Sequence, residues 1–96
     1  MTARYIVTYD ITDDDRRTAV FKALRGYGEH LQFSVFSCDL TLLARTKMVA
    51  RLHGLIDQSV DQILLIDLGP VEGRAATCID AIGRKYMPPE RTVTII

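Results

Sequence analysis

The order in which hydrophobic periodicity changes along the chain constrains the fold more than any other feature. Residues 5–9 are β-branched and aromatic, as in a strand, and an apolar stripe at helical spacing follows them. Residues 29–40 are strand-like again, a second helical stripe follows, and residues 62–68 form another apolar strand. Because residues 29–40 run to about twice the usual strand length, we expect two short strands there. The pattern predicts an α+β, ferredoxin-like βαββαβ fold.

The first helix has a recognisable start and end. Thr12 is its expected N-cap, with Asp15 three residues later as in a capping box, and Asp13 and Asp14 fall in the first turn. Gly26 and Gly28 are its expected stop. The expected inner stripe is Arg17, Val20, Phe21 and Leu24.

The remaining boundaries depend on fewer signals. The break inside residues 29–40 is expected near Phe33 and Ser34, although no Gly or Pro marks a turn there. Thr41 is the expected cap of the second helix, and Gly69 with Pro70 should end the strand of residues 62–68. The expected inner stripe of the second helix is Leu42, Arg45, Met48, Val49, Leu52, Leu55 and Ile56.

The strand of residues 62–68 is apolar on both of its faces. Ile63 and Leu65 point to one face, while Leu64, Ile66 and Leu68 point to the other. Two helices cover only one face of a ferredoxin-like sheet, and an open apolar face favours association. We therefore expect a homodimer of C2 symmetry, packed sheet to sheet.

The whole chain, residues 1–96, reads as a single domain, with a core at about residues 3–68 and a dimer-contacting segment at about 71–96. Residues 77–83 could form a strand or a short helix. Residues 91–96 read as a strand, so the fold should carry an extra C-terminal edge strand, on its own sheet or its partner's.

Composition excludes several classes of protein. The net charge is zero, unlike that of a strongly basic nucleic-acid binder, but residues 16–28 and 40–56 contain basic side chains and no acid. Cys38 and Cys78 show no CxxC spacing, which argues against a zinc site. With no signal peptide or membrane-length apolar run, we expect a cytoplasmic protein with no membrane partner.

Asp10 directly follows the first strand and has two interpretations. It could simply open the turn into the helix, since turns favour Asp. Alternatively it could be a metal ligand, because a strand end holds a carboxylate rigidly and Mg²⁺ prefers carboxylate oxygens. One carboxylate alone is a poor site, but a C2 dimer would supply a second Asp10. Asp13, Asp14 and Asp15 are adequately explained by the helix dipole.

The basic and aromatic candidates are ambiguous on sequence alone. Arg16 and Arg17 could pair with acids or direct a guanidinium at a phosphate. Phe36 lies just after the expected strand break, where it could be a core residue or could contact a base or sugar next to the scissile phosphate.

Two blocks of the sequence carry a family resemblance. The first is YDI with an acid and paired arginines, at residues 9–17; the second is Q-x-S-V-F, at residues 32–36, beyond the YG pair at Tyr27. Together they resemble the second of the two universal CRISPR adaptation proteins, over residues 5–68. The resemblance implies a ferredoxin-like homodimer that is a metal-dependent endonuclease of RNA, DNA or both.

The same resemblance implies roles for individual residues. Asp10 would be the Mg²⁺ ligand and a catalytic residue, with Arg17 and Phe36 as further catalytic residues. Arg16, Arg17, Ser34 and His30 would contact nucleic acid, His30 standing where the family commonly has an arginine. Mg²⁺ would activate a water and neutralise phosphoryl oxygens.

A second implied role needs no chemistry. The dimer would bridge copies of the CRISPR integrase and support the duplex DNA to be inserted, using its basic helix faces. A third interpretation, a regulatory module that binds a small molecule, follows from the fold alone, which does not assign function.

Overall fold

The computed structural model describes residues 1–86, in which the strands and helices follow the predicted order. Their bounds are β1 Ala3–Asp10, α1 Asp14–Arg25, β2 Glu29–Gln32, β3 Val35–Leu40, α2 Leu42–His53 and β4 Gln62–Pro70, with a 3₁₀ turn at Arg74–Ala76.

One antiparallel sheet carries the fold, with the strand order β2-β3-β1-β4. β1 is central and pairs with β3 on one side and β4 on the other, as the ferredoxin-like arrangement requires. Alternate residues of β1, namely Tyr5, Val7 and Tyr9, are buried against the helices. The helices contribute their own buried side chains to this single core, chiefly Val20, Leu24, Met48 and Leu52.

The cap of α1 differs from the prediction by one residue. Asp13, not Thr12, is the N-cap, and its carboxylate accepts a 2.9 Å hydrogen bond from the Arg16 backbone N–H. A carboxylate satisfies the free N–H and also interacts favourably with the helix dipole, which a hydroxyl does only weakly. The predicted stop at Gly26 is confirmed.

The predicted cap of α2 is confirmed, and one member of its inner stripe is wrong. The Thr41 hydroxyl accepts from the Ala44 N–H at 3.2 Å. Leu42, however, is 75% exposed. It is the first helical residue, and helical side chains tilt towards the N-terminus, so Leu42 projects past the end of the core.

The predicted break in residues 29–40 is confirmed as a two-residue turn. Phe33 and Ser34 connect β2 to β3, with Gln32 paired to Val35 across the turn. Ser34 adopts a left-handed conformation at φ 61°, which allows this tight reversal without Gly. The turn carries only a weak signal in the sequence, because Ser favours turns less strongly than Gly, Pro, Asn or Asp does.

The face of the sheet opposite the helices, here called the outer face, is apolar beside β4. Ile63 and Leu65 pack against the core, whereas Leu64 and Ile66 lie on the outer face and are 49% and 47% exposed. β4 ends at Pro70, two residues later than predicted, because Pro70 still pairs with Ala3 beyond a bulge. A homodimer remains a prediction, and these residues are where it would form.

The described part of the C-terminal segment is irregular. The prediction of a strand or helix at residues 77–83 is wrong: after the 3₁₀ turn the chain runs without regular structure to Tyr86. It lies over the β2 side of the outer face, where Ile79–Tyr86 and the strands enclose a groove of about 930 Å³. Arg4 helps to hold it through a long 3.4 Å hydrogen bond to the Ala75 carbonyl. The predicted strand at 91–96 lies outside the described residues.

Candidate metal and nucleic-acid site

Asp10 is the last residue of β1 and its side chain is exposed. It pairs in register with Gln62 of β4 and falls on the outer face, since Tyr9 before it points into the core. Within residues 1–86 no hydrogen bond or ion pair engages its carboxylate. Leu64 and Ile66 share this face, so the surface that would bury a second copy also carries Asp10.

The turn between β2 and β3 lies beside this strand end. The Ser34 carbonyl accepts a 3.1 Å hydrogen bond from the Tyr9 N–H, one residue before Asp10. Burial raises the pKa of the Tyr9 phenol, while a hydrogen bond with Ser34 and the charge of Arg17 oppose that rise. Ser34 and Arg17 are therefore both close to the end of β1.

Arg17 is held against the backbone that follows Asp10. One guanidinium nitrogen, Nη1, donates to the carbonyls of Ile11 at 3.1 Å and Thr12 at 3.2 Å, and Nη2 pairs with Asp14. The side chain is one-third exposed, and Nε takes no part in these described bonds. Arg17 thus pairs with an acid, Asp14, which is one of its two predicted roles. Its Nε still has an N–H that could donate to a phosphate.

Arg16 forms an ion pair with Asp61, in the loop before β4. Its Nε and Nη2 donate to the two Asp61 oxygens at 2.7 and 3.3 Å, and Asp61, whose side chain is fully buried, also accepts from the Asp57 N–H. The Arg16 hydrogen bond lowers the pKa of Asp61, and in return Asp61 raises the pKa of Arg16. This arrangement favours a structural role for Arg16 over the predicted contact with nucleic acid.

Phe36 and His30 lie on the helix-covered face, away from Asp10. Phe36 is completely buried, with ring centroids of His30, Phe21 and Tyr9 at 5.0, 5.5 and 6.4 Å. His30 is exposed on edge strand β2 but packs against this aromatic cluster. The core interpretation of Phe36 therefore fits its position, and its predicted nucleotide contact would require the ring to leave the core.

A single chain offers only part of a metal site. No three potential ligands cluster together within residues 1–86. Mg²⁺ in nuclease-type sites is commonly held by one or two carboxylates together with substrate phosphate and water. The unpartnered Asp10 carboxylate suits that mode, as one ligand from each of two protomers.

The sequence did not predict a role for two residues near the site, Asp61 and Phe33. Asp61 looked like an ordinary loop acid, because its partner Arg16 is 45 positions away. Phe33 did carry a signal: an aromatic residue occupies a turn position, where polar residues are expected. It is 85% exposed.

The sequence is similar to those of one known protein family along most of its length. The family model described as "CRISPR associated protein Cas2" matches residues 1–72. The chain is 40% identical over 92 residues to "CRISPR-associated endoribonuclease Cas2 1" of Rhodospirillum rubrum, covering 96% of this chain and 89% of that protein. It is 36% identical over 92 residues to "CRISPR-associated endoribonuclease Cas2" of Geobacter sulfurreducens, covering 96% of each.

Solved structures show the same fold. The crystal structure of Streptococcus pyogenes Cas2 at pH 6.5 superposes with a TM-score of 0.71 and 26% identity, covering 83% of this chain and 99% of that one. No helix within residues 1–86 is long and apolar enough to cross a bilayer.

Proposed function

This chain belongs to the Cas2 family of CRISPR-associated proteins, and we propose that it is an Mg²⁺-dependent endoribonuclease that acts as a homodimer. The observation that carries the proposal is the exposed, unpartnered carboxylate of Asp10 at the rigid end of β1. A carboxylate left unpaired beside five charged neighbours at residues 13–17 is available for a cation in a way that Asp61 is not. The names of the curated relatives supply the substrate class, RNA.

The dimer completes the proposed site. Leu64, Ile66 and Asp10 share the outer face, so a second copy packed there brings its own Asp10 to the same surface. Covering two half-exposed aliphatic side chains also removes apolar surface from water, which favours association. The two Asp10 carboxylates would then hold Mg²⁺, which supplies charge neutralisation and an acidified water.

The chain's own groups orient the substrate around that point. Arg17 keeps Nε for a phosphoryl oxygen while its other donors fix the backbone after Asp10. The Ser34 turn is tied to β1 by the Tyr9–Ser34 hydrogen bond and so presents its side chain at a constant position. Donors held in this way near the end of β1 would need little reorganisation during the reaction, which supports the proposed roles of Arg17 and Ser34.

The cleavage assay compares Asp10→Asn with Asp15→Asn, an exposed acid of the first helical turn. Each is incubated with single-stranded RNA and with duplex DNA, in Mg²⁺ and in EDTA. We expect Asp10→Asn and EDTA to abolish RNA cleavage, while Asp15→Asn keeps it. Cleavage that survives either treatment would sink the proposal, and cleavage of DNA alone would contradict the assigned substrate class.

A second function, that of adaptor in spacer integration, is favoured by a separate observation. Exposed basic side chains lie along both helices, Lys22 and Arg25 on α1 and Lys47 and Arg51 on α2. Such faces suit the phosphate backbone of duplex DNA, and binding to them weakens steeply with salt. Partnership with the CRISPR integrase belongs to this proposal.

Spacer acquisition in cells separates the two functions. If the adaptor role needs no cleavage, Asp10→Asn retains full acquisition, whereas Lys47→Glu with Arg51→Glu loses it. Lost acquisition in Asp10→Asn, with intact folding and integrase binding, would instead assign the catalytic site to integration. Unchanged acquisition in the double charge-reversal variant would show that the basic face of α2 is not needed for binding the duplex.

A further inference from the structure

Phe33 is exposed to a degree that folding does not explain. The side chain is 85% exposed at the tip of the β2–β3 turn, and within residues 1–86 no ring or guanidinium packs against it. Burying a phenylalanine normally favours folding, and small or polar residues suit a two-residue turn better. The ring therefore contributes little to the stability of this protomer.

The turn is rigid and lies at the Asp10 end of the sheet. Gln32 and Val35 pair across it, Ser34 has a fixed left-handed φ of 61°, and the Ser34 carbonyl is bonded to the Tyr9 N–H. Neighbouring strands lie roughly 4.8 Å apart, so Phe33 stands within a nucleotide or two of the Asp10 carboxylate. Its position is set by the hairpin and does not depend on a loose loop.

Electrostatics alone give this end of the sheet little attraction for nucleic acid. Asp10 and the acids at 13–15 are negative, and Arg16 and Arg17 are already paired with Asp61 and Asp14. Apart from the proposed Mg²⁺ and Arg17 Nε at the reacting phosphate, a substrate bound here needs binding energy from an uncharged source. Stacking of a base on an aromatic ring supplies such energy, and it tolerates any base sequence.

We infer that Phe33 is a stacking platform for an unpaired base next to the phosphate held at Asp10, and that it selects single-stranded substrate. This inference rests on the proposed nuclease function and names a residue for its substrate binding. Bases in a duplex are stacked on each other and cannot reach such a ring, whereas bases of single strands can. Phe33 thus takes the base-contact role that was one of the two interpretations of Phe36, which is buried in the core.

The chain contains no tryptophan, which makes a direct test possible. Phe33→Trp, combined with Asp10→Asn to prevent cleavage, introduces one fluorophore at the proposed platform. Leu42→Trp in the same background is the control, since Leu42 is similarly exposed but lies at the start of α2, at the opposite end of the sheet. Both are titrated with oligouridylate and with duplex RNA.

We expect oligouridylate to quench the tryptophan of Phe33→Trp but not that of Leu42→Trp, and duplex RNA to quench neither. Phe33→Ala should weaken oligouridylate binding about 5- to 150-fold, equally at low and high salt because stacking releases no counterions. Phe33→Tyr should restore it. In cleavage, Phe33→Ala should raise KM and leave kcat nearly unchanged.

The outcomes separate this inference from the nuclease proposal. Normal KM in Phe33→Ala together with unquenched Phe33→Trp overturns the platform and leaves Asp10's role standing. Quenching without any cleavage by wild-type protein keeps the platform and overturns the nuclease. Equal quenching by duplex RNA contradicts strand selection, and an emission change on dilution without RNA shows that Phe33 contacts a second copy.

Discussion

Asp10 and Asp61 are acids at adjacent strand ends, one closing β1 and one just before β4, yet their environments give them different roles. Asp61 is buried and receives a bidentate Arg16 and a backbone N–H, so its charge is fully committed to the fold. Asp10 is exposed and has no such partner within the described residues. Sequence shows two acids beside apolar strands, and only the tertiary contact distinguishes them.

The Arg16–Asp61 pair should make stability depend on pH in the acid range. Because its folded pKa is lowered, the Asp61 carboxylate contributes stability above its unfolded pKa, about 3.9, and loses it as pH falls through the folded value. Asp61→Asn should therefore be less stable than wild type at neutral pH, and the two should converge below about pH 4. Thermal unfolding across pH measures this; a pH-independent gap would refute it.

Gly28 should resist substitution because β2 begins in close contact with β3. A Cβ at this position would lie 2.4 Å from the Ser37 carbonyl oxygen and 2.8 Å from the Cys38 Cα, and these backbone atoms cannot move aside. We expect Gly28→Ala to cost about 1–3 kcal/mol in the free energy of unfolding. Gly54→Ala is the control, since its Cβ would meet only the Arg51 carbonyl, at 3.5 Å. Equal stability of the two variants in urea would be inconsistent with this packing.

At the scale of elements, the sequence predicted which segments are strands and helices because periodicity reports burial directly. The boundaries were harder. The cap of α1 was misplaced by one residue because Thr12 and Asp13 are both good caps, and which one is used depends on where β1 ends. The apolar residues at 77–83 indicated regular structure, whereas the segment lies over the outer face beside β2 and pairs with neither edge strand.

The N-cap assignment is tested by two single substitutions. Asp13→Ala removes the acceptor for the Arg16 N–H and should cost about 1 kcal/mol of unfolding free energy. Thr12→Ala removes no described hydrogen bond at the helix start and should change stability little. Chemical denaturation of both variants measures the difference, and a larger loss in Thr12→Ala would assign the cap to Thr12 instead.

The whole molecule has one covered and one partly uncovered sheet face. Helices bury the first, while the second carries the C-terminal segment beside β2 and exposed aliphatic side chains beside β4. The two-sided apolar pattern of residues 62–68 predicted this asymmetry from sequence. The sequence placed Phe33 at the strand break, as the structure confirms, but left Phe36 open between a core position and a nucleotide contact. A shift of one residue in a tight turn would move a strand side chain to the other face of the sheet, so the pattern alone could not decide between them.

Association through that face predicts the effect of a charge placed on it. Ile66→Lys should give a folded monomer, because Ile66 is half-exposed in the single protomer and its replacement disturbs no core contact. Leu43→Lys, on an exposed residue at the start of α2, should leave the dimer intact. Light scattering gives the masses, and a dimeric Ile66→Lys would place the interface elsewhere.

The paired Asp10 carboxylates are tested most directly by RNA cleavage in dimers assembled from wild-type and Asp10→Asn subunits at varied ratio. If both carboxylates serve one site, only the all-wild-type dimer cuts, so the rate in Mg²⁺ falls as the square of the wild-type fraction and reaches zero. A linear fall would mean that each Asp10 works alone. Cleavage that persists when every subunit carries Asn would contradict the assignment of Asp10 altogether.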